Sequence, residues 1–211
     1  SLVLDAPLVL DQGTDLKMWK PENYGKKFYG PSTLRIGLEK SRNLMTVRIA
    51  QNLGVNKVAE FSKSLGIYEN PDELLSISLG SAETTLLKLT SAYSAFVNGG
   101  KLVSPILIDR VQDSEGNTIL NNENRSCLNC DKLSYTGNDY PDVVNNFKQV
   151  FSQQTAYQVT SILEGVVKRG TGKKLRELNL NLAGKTGTTN KNTDAWFIGF
   201  TSNYVIAVSY T

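Results

Sequence analysis

The 211-residue sequence predicts an α+β fold, with helices through the middle of the chain and a small antiparallel sheet at its end. Two observations carry this. Four central segments repeat apolar residues at helical spacing, and from residue 181 onward the pattern changes to short strand-like runs with tight connections. Hydrophobic residues make up 40% and charged residues 20%, the balance of an ordinary folded chain.

The elements follow in order. Residues 1 to 37 are rich in Pro, Gly and Tyr (WKPENYGKKFYGPSTL) and read as an ordered but irregular lead-in. Ser41 can cap a first helix, with Leu44, Val47 and Ala50 at helical spacing and Gly54 as its stop. A second helix spans about 56 to 65, with Val58, Phe61 and Leu65 on one face. A third carries Leu86, Leu89, Tyr93 and Phe96 on one stripe and stops at Gly99-Gly100. Residues 101 to 120 alternate around Ser114-Glu115-Gly116-Asn117, a hairpin pattern, and the polar stretch 121 to 148 reads as a long loop. Ser152 caps a fourth helix, with Ala156, Val159, Ile162, Leu163 and Val166 inward, and Gly170-Thr171-Gly172 ends it. Residues 181 to 189, 194 to 202 and 204 to 211 then form three antiparallel strands. This divides the chain into a helical part at about 38–100, a hairpin-and-loop insertion at about 101–150, and a helix with a sheet at about 151–211.

Composition excludes several functions. With 23 basic and 20 acidic residues the net charge is +3, too balanced for nucleic-acid binding. No apolar run reaches the length of a membrane span. There is no histidine, so Ser-His and Cys-His nucleophiles and most zinc sites are ruled out, and no metal or cofactor is expected. Acid–base work falls to Lys, Asp, Glu, Tyr or a hydroxyl relay. Cys127 and Cys130 stand in a polar stretch and read as a surface thiol pair, open to oxidation outside the cytoplasm. The chain opens at SLVLDAP without a methionine, which reads as a piece of a longer protein.

Gly184-Lys185-Thr186 has the tail of a phosphate-binding loop, but position 179 is Asn179 where that loop needs glycine. Gly172-Lys173 fails the same test at Val167. A strand suits Lys185-Thr186-Gly187-Thr188 better. On a sheet edge, Gly187 lets an extended peptide approach, the hydroxyls hydrogen-bond a carboxylate, and Lys185 adds positive charge. Taken alone, these residues read as an ordinary turn and strand with a surface lysine. Ser41-Arg42-Asn43 changes that. Ser-x-Asn and Lys-Thr-Gly are two of three motifs in serine acyl-transferases that use lysine where others use histidine.

With DAP, NYGKKFYGPSTLRIGLEKSRN, SLGSAETTLLKLTSAYSAFVNGG, GVVKRGTG and AGKTGTTNKNTDAWFIGF, the sequence resembles the transpeptidase domain of class A penicillin-binding proteins along nearly its whole length. The resemblance implies the penicillin-binding-protein and serine β-lactamase-like fold, incomplete on its N-terminal side and therefore of low stability in isolation. It implies that Ser41 relays protons, that Asn43 positions the substrate amide and the active-site lysines, and that Lys185 sets the electrostatics. Thr186 and Thr188 would hold a terminal carboxylate, and the Thr188 N–H would form half of an oxyanion hole. Gly187 would admit the substrate backbone. The implied partners are peptidoglycan stem peptides, β-lactams and the remainder of the parent protein. The implied location is the extracytoplasmic face of the bacterial plasma membrane, with a membrane anchor and a glycosyltransferase domain elsewhere in the parent.

One departure stands out. No serine has lysine three positions later, although Thr14, Thr85, Thr171 and Thr188 precede Lys17, Lys88, Lys174 and Lys191 at that spacing. The family's Ser-x-x-Lys nucleophile is therefore expected just upstream of Ser1, which leaves this chain inactive alone. A non-catalytic fragment that binds peptides or β-lactams is the competing reading, with a serine β-lactamase-related piece as a third.

Overall fold

The computed structural model describes residues 2–11, 18–123, 125–128, 130, 142–189 and 193–210. Thr14 and Lys17 therefore lie outside the described residues, as do Lys191 and most of the segment after Cys130.

The lead-in is more regular than its composition suggests. Strand β1 (Leu2–Asp5) pairs antiparallel with β2 (Gly30–Thr33), and α1 (Leu34–Glu39) follows at once, where the sequence predicts an irregular connection. The sequence hid this ladder because Pro31 has no N–H and Gly30-Pro31 reads as a turn. A two-stranded edge ladder accepts proline all the same. Helices α2 (Asn43–Leu53), α3 (Val55–Ser64) and α4 (Leu86–Val97) form the middle of the chain, and α5 (Gln153–Lys168) returns before the sheet. Ser152 caps α5 as expected, and Thr85 caps α4 with the same chemistry. The Thr85 and Ser152 hydroxyls accept from Lys88 N–H at 3.2 Å and Thr155 N–H at 3.1 Å. On α3, Leu65 is buried and Val58 half-buried, but Phe61 is 47% exposed and meets Phe151 at 6.2 Å between ring centroids.

Between α4 and α5 the expected hairpin is shorter than its alternating pattern. Strand β3 (Lys101–Leu102) pairs with β8 (Lys148–Gln149), while only β4 (Arg110–Gln112) and β5 (Thr118–Asn121) form the hairpin. Pro105 interrupts the run, since it cannot donate to a ladder. The expected long loop contains a further ladder, β6 (Arg125–Cys127) with β7 (Val143–Asn145). Its β-branched residues Val143 and Val144 were masked by the surrounding asparagines. Cys127 and Cys130 are joined by a disulfide.

The final sheet has the order β11 (Val205–Tyr210), β10 (Ala195–Phe200), β9 (Ala183–Thr188), all antiparallel. Helices α4 and α5 cover its inner face. Leu163 and Val166 of α5 pack against Ala183 and Phe200, flanked by Leu38, Tyr93 and Phe96. Strand β9 is an edge of this sheet.

The α1–α2 turn contradicts the expected cap. Arg42, not Ser41, occupies the cap position of α2, and no side chain of its own caps the helix. Ser41 instead lies just past α1 at φ 53°, in the left-handed region. Its N–H donates to Leu38 O at 3.1 Å, and Arg42 N–H donates to Gly37 O at 2.8 Å. These are the two bonds of a Schellman C-cap, where glycine is the usual residue. The N-terminal end of α2 is served from a distance by Asn23, whose Oδ1 accepts Leu44 N–H at 3.4 Å. The Asn23 amide donates to buried Asp5 at 2.8 Å and to Lys27 O at 2.9 Å, which fixes the lead-in loop beside the helix.

Glu39 ends α1 with its carboxylate almost wholly buried, which a charge tolerates only when paired. Arg169, just after α5, grips it bidentately, Nη2 to Oε1 at 2.5 Å and Nε to Oε2 at 3.2 Å. Two glycines make this approach possible. A Cβ at Gly165 would lie 1.9 Å from Glu39 Oε1, and one at Gly170 would lie 2.2 Å from Glu39 O.

Substitutions at Gly165 and Ser41 test these constraints by urea denaturation. Gly165→Ala costs about 1–3 kcal/mol of stability through overpacking, despite the better helix propensity of alanine. The control Gly25→Ala, where a Cβ meets nothing within 4 Å, stays within about 0.5 kcal/mol of wild type. Ser41→Gly is more stable than Ser41→Ala by about 1 kcal/mol, because only glycine fits the left-handed position without strain. Equal stabilities of these two variants would remove the claim of strain at Ser41.

Candidate active site

A cleft of about 1250 Å³ opens between the α1–α2 turn, the loop from Glu22 to Tyr29 and the edge of β9. Ser41, Asn43, Lys185, Thr186, Gly187 and Thr188 all line it, so residues up to 147 positions apart in sequence converge there (188 − 41). Among the described residues none of the lining side chains lies between positions 101 and 150.

Lys185 reaches the cleft because of strand register. It pairs with Ile198, so it shares the inner face of the sheet with a buried residue. Its ammonium donates to Ser41 Oγ at 2.8 Å and to Thr186 O at 2.9 Å. Among the described residues no carboxylate pairs with it. Burial therefore acts unopposed and pushes its pKa down from the ordinary 10.5 to about 8. The unfolded chain keeps that proton up to about pH 10.5, so burial costs stability below about pH 8, and the cost fades as pH rises between the two values.

The Ser41 hydroxyl accepts from the ammonium, which leaves its own proton free to turn into the cleft. Asn43, the first residue of α2, donates its amide to Glu22 O at 2.9 Å and so is tethered to the opposite loop. Thr186 Oγ1 lies 2.7 Å from Thr171 Oγ1. Thr188 is exposed at the far end of the strand. A Cβ at Gly187 would meet Trp196 at an ordinary 3.5 Å, so the sheet itself would accept a side chain there. Its absence leaves room on the cleft side.

Several residues that build the site escaped sequence reasoning. Arg42 donates to Ser32 Oγ at 2.6 Å, lies 3.7 Å from Asp5 and places its guanidinium 4.1 Å over the Tyr29 ring. It thereby pins the residue between Ser41 and Asn43. Asp5, Asn23, Glu39, Arg169 and Thr171 belong to the same framework. Gly170-Thr171-Gly172 left a trace as a helix stop, and the others lie in the stretches that carry the family resemblance without any role marking them out. The buried carboxylates look like ordinary surface residues until their distant partners are known.

A family model described as the penicillin binding protein transpeptidase domain matches residues 3–211. Penicillin-binding protein 1A of Rickettsia bellii is 41% identical over 207 residues, which cover 96% of this chain and 26% of that protein. Penicillin-binding protein 1A of Pseudomonas aeruginosa is 34% identical over 242 residues, covering 99% of this chain and 29% of that one. The crystal structure of penicillin-binding protein 1A from Haemophilus influenzae superposes with a TM-score of 0.79 at 28% identity, across 99% of this chain and 34% of that chain. The chain thus spans about a quarter of the length of the first of these relatives. The match along nearly all of its residues, together with the convergence of Ser41, Asn43 and Lys185 on one cleft, shows that the chain belongs to the penicillin-binding protein transpeptidase family.

Proposed function

We propose that this chain forms two walls of a serine-type D-Ala–D-Ala transpeptidase site whose nucleophilic serine lies elsewhere in a longer parent protein. The observation that supports this most is the 2.8 Å contact between Lys185 Nζ and Ser41 Oγ inside the cleft. In the reaction, the serine oxygen bonds to the carbonyl carbon of the penultimate D-alanine. The amide bond breaks and the terminal D-alanine leaves with a proton on its nitrogen. An amine of a neighbouring stem peptide then displaces the ester and restores the serine.

Each wall has a task. Ser41 gives its proton to the leaving nitrogen and recovers one from Lys185, whose lowered pKa eases the transfer, and the proton released by the attacking serine restores the Lys185 cation. Lys185 as a cation, with the hydroxyls of Thr186 and Thr188, holds the terminal carboxylate. The free N–H groups of the β9 edge receive the substrate backbone, and the Thr188 N–H supplies one oxyanion donor. Gly187 provides the clearance, and Asn43 aligns the substrate amide. β-Lactams present the same carboxylate and an acylating carbonyl. Residues at about 38–100 and 151–211 act as the two halves of the site, with 101–150 as an insertion away from it. The Cys127–Cys130 disulfide fits an oxidising, extracytoplasmic location.

A non-catalytic binding role is the second reading, favoured by the absence of any Ser-x-x-Lys in the 211 residues. Fluorescent penicillin followed by intact-mass measurement separates the two. The expected result is a covalent adduct on the full-length parent and none on this chain. An adduct on this chain would place the nucleophile within it, and no adduct on either would leave only the binding role.

The rate of acylation of the parent at low penicillin concentration should fall as pH rises through about 8, where Lys185 loses its charge. A rate that climbs steadily from pH 7 to 10 would show that the cation is not required.

A further inference from the structure

Thr171 has no part in the roles assigned above, yet it lines the cleft with its Oγ1 2.7 Å from Thr186 Oγ1. Lys174, three residues on, is not among the cleft-lining residues, so the Thr-x-x-Lys spacing does not place a nucleophile and its base together there. The place of Thr171 is fixed from behind. Its N–H donates to Glu39 O at 3.2 Å, Gly170 admits that carbonyl closely, and Arg169 holds the Glu39 carboxylate. One residue therefore joins both walls, touching α1 through Glu39 and β9 through Thr186. A β-branched threonine also has few χ1 rotamers, which keeps its hydroxyl where the backbone puts it.

Two hydroxyls 2.7 Å apart place one proton between them. If Thr186 is the donor in that pair, its proton is spent on Thr171. If Thr171 is the donor, the Thr186 proton is free to point into the cleft. An anion selects the second arrangement, since each hydroxyl then donates toward the negative charge and the two bonds reinforce each other. We propose that Thr171 is a positioning residue of the carboxylate subsite. It donates to Thr186 Oγ1 and so aims the Thr186 proton at the free carboxylate of a peptide or lactam ligand. This rests on the reading of Thr186 and Thr188 as that subsite.

The test uses the full-length parent and two probes, benzylpenicillin and its methyl ester, which differ only in the anionic group. Wild type should be acylated faster by the acid. Thr171→Val should slow acylation by the acid about tenfold, the upper worth of one hydrogen bond between neutral groups, and leave the ester rate unchanged. Thr171→Ser should restore the acid rate. The ester serves as the control for folding, because damage to the site as a whole slows both probes. Equal slowing of both probes, or no slowing of either, overturns the role of Thr171 while leaving the transpeptidase reading intact. A wild-type parent that takes up neither probe, or that shows no preference for the acid, overturns the underlying reading and this inference with it.

Discussion

The bidentate grip of Arg169 on Glu39 is the interaction on which the site depends. The carboxylate sits in almost no solvent, so it is stable there only while it is neutralised, by this guanidinium and, at 3.7 Å, by that of Arg35. That requirement brings the end of α1 against the end of α5. Thr171 N–H and Lys40 Nζ then add bonds across the same junction, to Glu39 O and Arg169 O. Two residues beyond Glu39 stands Ser41, and α5 packs directly on β9. The grip thus sets the spacing between the serine hydroxyl and the lysine, although neither Glu39 nor Arg169 lines the cleft.

Local preferences are violated where the chemistry is concentrated. Ser41 takes a backbone conformation that favours glycine, and Lys185 gives up hydration for a place beside Ile198. Both cost stability, and both put a polar group at a point where the walls meet. The surrounding structure absorbs the strain. The Schellman bonds fix the turn before Ser41, and Asn23, Asp5 and Arg42 fix the turn after it.

Where sequence and structure agree, the information was local. The capping hydroxyl of Ser152, the glycine stops and the three closing strands all rest on residues close in the chain. The same holds for Lys185 and Thr186 on an edge strand. Where they differ, the deciding partner lay far off. Ser41 has the chemistry of a cap, but the geometry of α1 claims it first. The β1–β2 ladder joins segments 25 or more residues apart (30 − 5), and Glu39 finds Arg169 at a separation of 130. Only the Ser-x-Asn and Lys-Thr-Gly motifs made one long-range contact legible, because together they specify a chemistry and not merely a conformation.

The pairing of Lys185 with Ile198 has a consequence for how this strand can change. Successive side chains alternate across the sheet, so slipping β9 by a single residue against β10 would turn the lysine outward and bring a threonine or glycine to face the helices. A slip by two would restore the orientation but carry the ammonium nearly 7 Å along the strand, out of reach of the serine. The contact between Lys185 and Ser41 is therefore tied to the parity of one ladder. Insertions and deletions inside this short strand separate Lys185 from Ser41 even when the apolar layer beneath can be repacked.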